Sequence, residues 1–384
     1  MKIGIEATSA AELKKAGVGY YTLNLLRALS RMQTNEHICT VYLRSDWPSE
    51  AESPLTDLPP EQAGRWRTRI MQCPALWAQL RLPLELRQHR QDVYFFPTSV
   101  LPLLYQPANS VITIHDVAFL FFPEYFSPAL RYWLTLATKI GLARAGKIIT
   151  VSEATRQDVL TYYDVPPEKV VTIHHGVQSR FRQLDDTFKP AIEQTKRSYG
   201  IQQPYILCIG TLQRRKNIPR LLQAFYMLKQ KYHIPHQLVL IGQRYHDLPE
   251  HEISETIQRL TLNQDVIWPG YIGAEDMPLL LNGAELFVLP SLYEGFGMPL
   301  VEAMACGVPV ACSNTSSLPE VVGDAGMLFD PDDVDSIAST LHQLVTQKRL
   351  LDALQHKGLQ RAQKFSWDTC ARKTLNVLEE ARHA

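Results

Sequence analysis

The feature that most constrains this chain is a double series of short, continuously apolar runs separated by longer amphipathic stretches. In the first series KIGIEA, HICTVYL, DVYFF, SVITIH, KIITV and KVVTIH alternate with segments such as YYTLNLLRALSRM and SPALRYWLTLATKIGLARA, up to about residue 177. Runs that are apolar throughout, rather than at every second position, suit strands buried on both faces, and helical connections between them imply a parallel sheet. Ser127 before Pro128 and Ser152 before EATRQDVL are local helix starts. The polar, aperiodic segment 178–190, QSRFRQLDDTFKP, reads as a linker. A second series follows: PYILCIG, HQLVLIG, DVIWPG, ELFVLPS, GVPVACS and GMLFD.

The expectation is an α/β chain of two doubly wound, Rossmann-like domains, at 1–182 and 190–364, with a helical segment 365–384 that packs back on the first. The 384 residues are long for one core and agree with two domains of about 150 to 200 residues. Ligands of such sheets bind outside the carboxyl ends of the strands, so two facing halves would form one interdomain cleft.

Several classes are disfavoured. Thirty-nine basic residues balance 39 acidic ones, which argues against nucleic acid as a partner. The six cysteines show no Cys-x-x-Cys pair and read as reduced thiols of a cytoplasmic protein. MKIGIEATSA lacks the apolar core of a signal peptide, and Pro97, Pro102 and Pro107 interrupt the most apolar long region, so neither export nor a membrane span is expected.

Four short stretches carry the chemistry. YEGFGMPLVEAMACG (293–307) joins two strand-like runs through a short helix, with Pro299 at the first helical position and Gly307 at the C-terminal cap. Gly295, Phe296, Gly297, Met298 and Leu300 lead into that helix, so their amides and its dipole suit a phosphate or sugar hydroxyls. Glu302 suits the two hydroxyls of a ribose and Glu294 a sugar hydroxyl; the plain alternative is that Glu302 complements the dipole and Glu294 caps the turn. In GTLQRRKN (210–217), Arg214, Arg215 and Lys216 crowd the carboxyl edge of a strand and suit a diphosphate, or form a solvated basic loop. No Walker pattern is present. In KKAGVGYYT (14–22), Gly17 and Gly19 form a loop feeding a helix, without the third glycine of a dinucleotide fingerprint. In VITIHDVAF (111–119), His115 at a strand end can bond a substrate hydroxyl or shift protons, or be structural; His174 and His175 read as turn residues.

Residues 293–331 resemble the signature of family 4 glycosyltransferases, retaining enzymes of the GT-B fold. The likeness extends through GVGYYTLNLLRAL, TIHDVAF, KIITVSEATRQDVL, TIHHGV, GTLQRRKNIPRLL and WPGYIGAEDMPLLLNGAELFVLPS, in the family's order. The resemblance implies a nucleotide diphosphosugar bound by the second domain, with Arg215 and Lys216 at the diphosphate and Glu302 at the ribose. Glu294 and the amides after it would meet the transferred sugar, and Tyr271 and Ile272 the base. His115 would approach that sugar from the first domain, which otherwise holds the acceptor, and the Gly17–Gly19 loop would close over the phosphates. Thr211 and Tyr20 stand where many relatives have arginine, which leaves charge neutralisation to Arg215 and Lys216.

These readings give a hexosyltransferase that uses UDP-glucose or GDP-mannose and a glycan or lipid-linked acceptor. The expected course is front-face substitution, in which the leaving phosphate takes the acceptor's proton and the enzyme supplies positioning and positive charge. No metal or other cofactor is expected, because Asp332 and Asp333 of FDPDDVD open a helical stretch where acids are favourable. The segment 65–90, with six arginines and one glutamate, reads either as a peripheral contact with an anionic membrane or as a basic surface helix. A nucleotide-sugar-binding scaffold without turnover and a GT-B sugar-nucleotide epimerase are the competing functions.

Overall fold

The structure is a computed structural model that describes residues 1–12, 17–32, 37–44, 64–72, 77–102, 104–242, 250–270 and 272–382. The chain divides into two compact units: residues 1–123, 127–176 and 366–384 form the first, and 124–126 with 177–365 the second.

The first unit is built on seven parallel strands: β1 (Lys2–Glu6), β2 (Ile38–Arg44), β3 (Trp66–Met71), β4 (Val93–Phe96), β5 (Ser110–Ile114), β6 (Lys147–Thr150) and β7 (Val170–Thr172). Their order across the sheet is β3-β2-β1-β4-β5-β6-β7. Six of these strands are the expected apolar runs, and β4 and β5 are buried at every position. The seventh, β3, was not expected. It lies in the basic 65–90 segment, pairs with β2 from Cys39↔Trp66 to Arg44↔Met71, and buries only its two end residues. That segment is therefore an edge strand followed by the helix Leu82–Gln88, rather than one basic helix.

The second unit has six parallel strands: β8 (Tyr205–Ile209), β9 (Gln237–Ile241), β10 (Val266–Gly270), β11 (Leu286–Leu289), β12 (Val310–Ser313) and β13 (Gly326–Phe329). Their order, β10-β9-β8-β11-β12-β13, reverses direction between β8 and β11, which is the switch point where such sheets place ligands.

The cores follow from the same apolar runs. In the first unit Ile3, Ile5, Val41, Val111 and Ile149 of the sheet pack with Leu25 and Leu26 of the helix Gly17–Arg31. The final helix, Trp367–Ala381, joins that core through Trp367, Cys370, Ala371 and Leu378. Ser366 starts it, its hydroxyl accepting from the Thr369 amide at 3.4 Å, and Ser152 caps an earlier helix in the same way at 3.0 Å. In the second unit Ile206, Leu238, Val288 and Ala311 pack with Leu221, Phe225, Ile337 and Leu341.

The segment 178–190 is not a loose linker. Asn282 holds it twice, donating to Arg182 O at 3.0 Å and accepting from the Leu184 amide at 2.8 Å, and a helix already starts at Lys189. The crossover and the return of the chain run side by side, with Val177 N–H bonded to Phe365 O at 3.1 Å.

Candidate functional site

The carboxyl ends of β8 and β11 carry a compact ionic network. After β8 the chain makes a short 3₁₀ turn, Arg214–Lys216, which ends because Asn217 adopts a left-handed conformation, φ 60°. Asn217 holds that conformation by donating its side-chain amide to Pro331 O at 2.7 Å. The turn is fixed to the loop after β11 by the Leu292 N–H to Arg215 O bond, 2.8 Å. Lys216 is thereby buried with its ammonium against Glu294 Oε1, while Arg215 reaches Glu294 Oε2 at 3.2 Å and Tyr293 O at 2.9 Å.

Serines complete the setting of Glu294. Ser291 donates to Oε1 at 2.6 Å, the Glu294 amide donates to Ser316 Oγ at 2.9 Å, and Ser317 donates to Glu294 O at 2.9 Å. Burial alone would raise the pKa of Glu294, but the charges of Lys216 and Arg215 and the hydrogen bonds from Lys216 and Ser291 outweigh it and hold the carboxyl at about 2. Burial lowers the pKa of Lys216, with the Glu294 charge opposing. Glycine is required nearby: a Cβ on Gly242, at the end of β9, would lie 1.8 Å from Gly210 O. The network thus pins two cations and one anion at a switch point, with Lys216 and Glu294 buried and Arg215 half-buried.

The helix that follows β11 is Met298–Ala305. Gly297 caps it at φ 90°, so Met298 rather than Pro299 is its first residue, and Gly307 at φ 74° ends it. The Met298 amide is among those a helix cannot bond internally. The Leu300 amide donates to Gly297 O at 3.0 Å, and Leu300 is fully buried, so Leu300 cannot serve as the anion donor expected of it. Phe296 packs edge-on against Phe365, ring centres 5.6 Å apart, and fixes the Gly295–Gly297 turn from behind. Glu302 stands one turn into the helix and accepts no side-chain hydrogen bond among the described residues. Burial raises its pKa to about 7, with Arg180 opposing. Of the basic run, Arg214 is engaged by Glu252 at 2.7 Å. Ile272 is buried beyond β10; Tyr271 lies outside the described residues.

The first unit gathers a different set at the carboxyl ends of β1, β4 and β5. His115 Nε2 bonds Pro97 O at 2.8 Å. A carbonyl only accepts, so Nε2 carries the proton, and burial, opposed by that bond and by Asp116, lowers the pKa and favours the neutral ring. Nδ1 is then an acceptor, which suits a hydroxyl and not a general acid. Tyr21 stands edge-on to His115 at 4.8 Å and donates to or accepts from Thr113 at 3.3 Å. His175, expected in a turn, is instead buried beside Tyr21 and stacked on Trp367 at 5.9 Å. Gly176 makes room: a Cβ there would fall 2.1 Å from the Trp367 nitrogen. Gly17 and Gly19 form the first turn of the helix Gly17–Arg31, not a loop before it. Asp333 caps the helix Val334–Thr346 and Asp332 pairs with Arg220 at 3.1 Å, which accounts for both acids as ordinary helix-end residues.

Two doubly wound parallel sheets with cations at the carboxyl edge of the second suit an anionic ligand, and comparison with known proteins specifies the class. Residues 191–361 match the model of glycosyl transferases group 1, and residues 16–181 that of glycosyltransferase family 4. The O-antigen chain mannosyltransferase B of Escherichia coli is 32% identical over 98% of this chain and 99% of its own length. The O-antigen chain mannosyltransferase RfbU of Salmonella typhimurium is 22% identical over 97% of this chain and 99% of its own. The solved structure of Anabaena HepE in complex with UDP and glucose superposes with a TM-score of 0.75 at 18% identity, over 99% of this chain and all of that one. The chain belongs to the family 4, group 1 glycosyltransferases and has the GT-B fold. It is a hexosyltransferase.

Proposed function

We propose that the protein transfers a mannosyl group, with retention, from GDP-mannose to a growing polysaccharide or lipid-linked glycan. The observation that carries the reading is the Lys216–Arg215–Glu294 network at the β8/β11 switch point. A mannosyltransferase relative of the same length supports the choice of sugar.

In this reading the network is preorganised. Glu294 holds the ammonium of Lys216 and the guanidinium of Arg215 where the leaving diphosphate accumulates charge, so little reorganisation accompanies bond breaking. The glycosidic C–O bond to the diphosphate breaks on the face from which the acceptor oxygen attacks, and the acceptor's proton passes to the departing phosphate oxygen. Glu294, with both oxygens engaged, serves as a binding and positioning group rather than a nucleophile. The Met298 amide and the Gly295–Gly297 turn face the sugar and phosphates. Glu302 accepts the two ribose hydroxyls, and Ile272 flanks the base. His115, through Nδ1, accepts a hydroxyl of the transferred sugar. Gly17 and Gly19, as a side-chain-free helix start, allow close approach of the phosphates. The charge is supplied by side chains, so no metal is required.

The reading includes a cytoplasmic setting with peripheral contact to an anionic membrane. No helix among the described residues is long and apolar enough to cross a bilayer. Exposed Ile70, Leu80 and Leu84 stand among the arginines of 65–90, the pairing of apolar anchors and cations that interfacial binding uses. UDP-glucose is the second candidate donor.

The test is transfer and melting with a panel of donors. GDP-mannose should raise the melting temperature and support transfer, and Lys216→Ala should lower turnover by roughly 10²-fold or more, as when one preorganised donor is lost. Near-wild-type turnover in that variant removes Lys216 from the mechanism. A shift with UDP-glucose alone reassigns the donor, and a bound donor with no transfer to any acceptor favours a scaffold.

A further inference from the structure

The first unit contains a cavity of ≈ 500 Å³ that the transfer reaction does not use. It lies at the opposite end of the sheet from His115, near the starts of β1, β2 and β4, beneath the helix Leu82–Gln88. In an electrically neutral chain, Lys2, Arg67, Arg69 and Arg90 converge on it. Strand register explains the gathering: Arg67 and Arg69 sit beside Thr40 and Tyr42 of β2, on the one sheet face that the helix partly covers.

One anion is set among these cations. Glu85 is buried, and its Oε2 accepts from Arg81 at 3.2 Å. Its Oε1 has Arg69 Nε at 3.8 Å and His89 Nε2 at 3.7 Å, both too far for a hydrogen bond, and it accepts none among the described residues although it is shielded from solvent. A buried carboxylate oxygen without a donor is costly unless something arrives to donate. An inorganic anion offers the cations what they need but leaves that oxygen unsatisfied. A phosphate carried on a polyol serves both, because its charge draws the exposed Arg69 and His89 side chains off Oε1 while a hydroxyl donates there.

We infer that this cavity is a second, non-catalytic binding site for a phosphate ester of a polyol. Soluble phosphosugars and the glycerol phosphate headgroup of an anionic lipid share that chemistry. The site goes beyond the donor reading and does not depend on it.

The experiment is calorimetric titration of the intact protein with glucose 6-phosphate and with inorganic phosphate, beside flotation with phosphatidylglycerol and with phosphatidylcholine vesicles. Glucose 6-phosphate should bind more tightly than inorganic phosphate. Replacing the exposed pair Arg67→Ser and Arg90→Ser should weaken it by about tenfold or more, as expected for lost charge-assisted contacts, with GDP-mannose binding unchanged. Glu85→Gln, which keeps the volume, should erase the advantage over inorganic phosphate. Binding of phosphatidylglycerol vesicles alone, lost in the arginine variant, identifies the occupant as a lipid headgroup. The inference is overturned if no probe binds, if binding survives the arginine variant, if inorganic phosphate binds as well as the ester, or if Lys216→Ala abolishes the signal, which would place the ester in the donor site.

Discussion

The two units have closely similar sheet orders, and each puts its special residues at the carboxyl ends of the central strands, yet they fill those positions with opposite chemistry. The second unit places Lys216 and Arg215 there, both paired with the buried Glu294. The first places Tyr21, His115, His175 and Trp367, a ring cluster held neutral. On the proposed function the second site meets a diphosphate and needs standing charge. On the same reading the first site grips uncharged sugar hydroxyls, for which rings and acceptors suffice. The same scaffold therefore yields a charged half and a neutral half without any change of topology.

That contrast can be broken most severely at Glu294. Glu294→Gln leaves the buried Lys216 ammonium without its counter-ion and takes one acceptor from Arg215, and should cost about 3–5 kcal/mol of stability, measured by urea unfolding. A loss below about 1 kcal/mol would mean that solvent already compensates the network.

Acid should separate the units next. The pKa of His175 lies well below that of a free histidine because burial, with help from His115 and His174, disfavours its charged form. The unfolded chain then binds the proton more readily than the folded one, so stability is present above about pH 6.5 and is lost progressively below it. Glu294, held at about 2, works in the same direction but in a lower window: its contribution is present above about pH 4.5 and fades only as pH falls toward 2. Hydrogen exchange near pH 5 should therefore loosen the first unit while the second stays protected. His175→Phe should flatten the response; equal loosening of both units would refute the assignment.

Glu302 sharpens the picture within the charged half. With its pKa at about 7, it is largely protonated at pH 6 and cannot offer the two charge-assisted acceptor oxygens that the proposed ribose contact uses. Donor affinity should rise as pH goes from 6 to 8, by up to about tenfold per pH unit below the pKa, and Glu302→Gln should remove the dependence. Titration calorimetry with GDP-mannose at three pH values measures this directly. The smallest effect belongs to the neutral half: Tyr21→Phe gives up one hydrogen bond to Thr113 and should cost about 0.5–1.5 kcal/mol in thermal unfolding.

Much of this was readable in the residues. Twelve strands announced themselves because parallel strands buried on both faces are apolar at every position. β3 did not, since WRTRIM lies at the edge and exposes its four central residues, so its arginines mimic a surface helix. Arg215, Lys216 and Glu294 stood out by charge at strand ends. The serines around Glu294 were not legible, because nothing local to Ser316 or Ser317 signals that the backbone amide and carbonyl of a residue 22 or 23 positions back await them. The stacking of His175 on Trp367 was hidden for the same reason: the pair is created by the return of the last helix, and adjacent sequence showed only two histidines before a glycine. Leu300 reads in the sequence as a free donor, but a capping turn consumes its amide.

That returning helix sets the timing of biogenesis. Residues 1–176 emerge from the ribosome lacking Trp367, Cys370, Ala371 and Leu378, which belong to their own interior. At typical translation speeds the remaining roughly 200 residues take on the order of 10 to 40 s to appear, and the other unit can close in that interval. The half that begins first is thus the half that finishes last, and a nascent chain stalled before residue 367 should present an open apolar groove to chaperones.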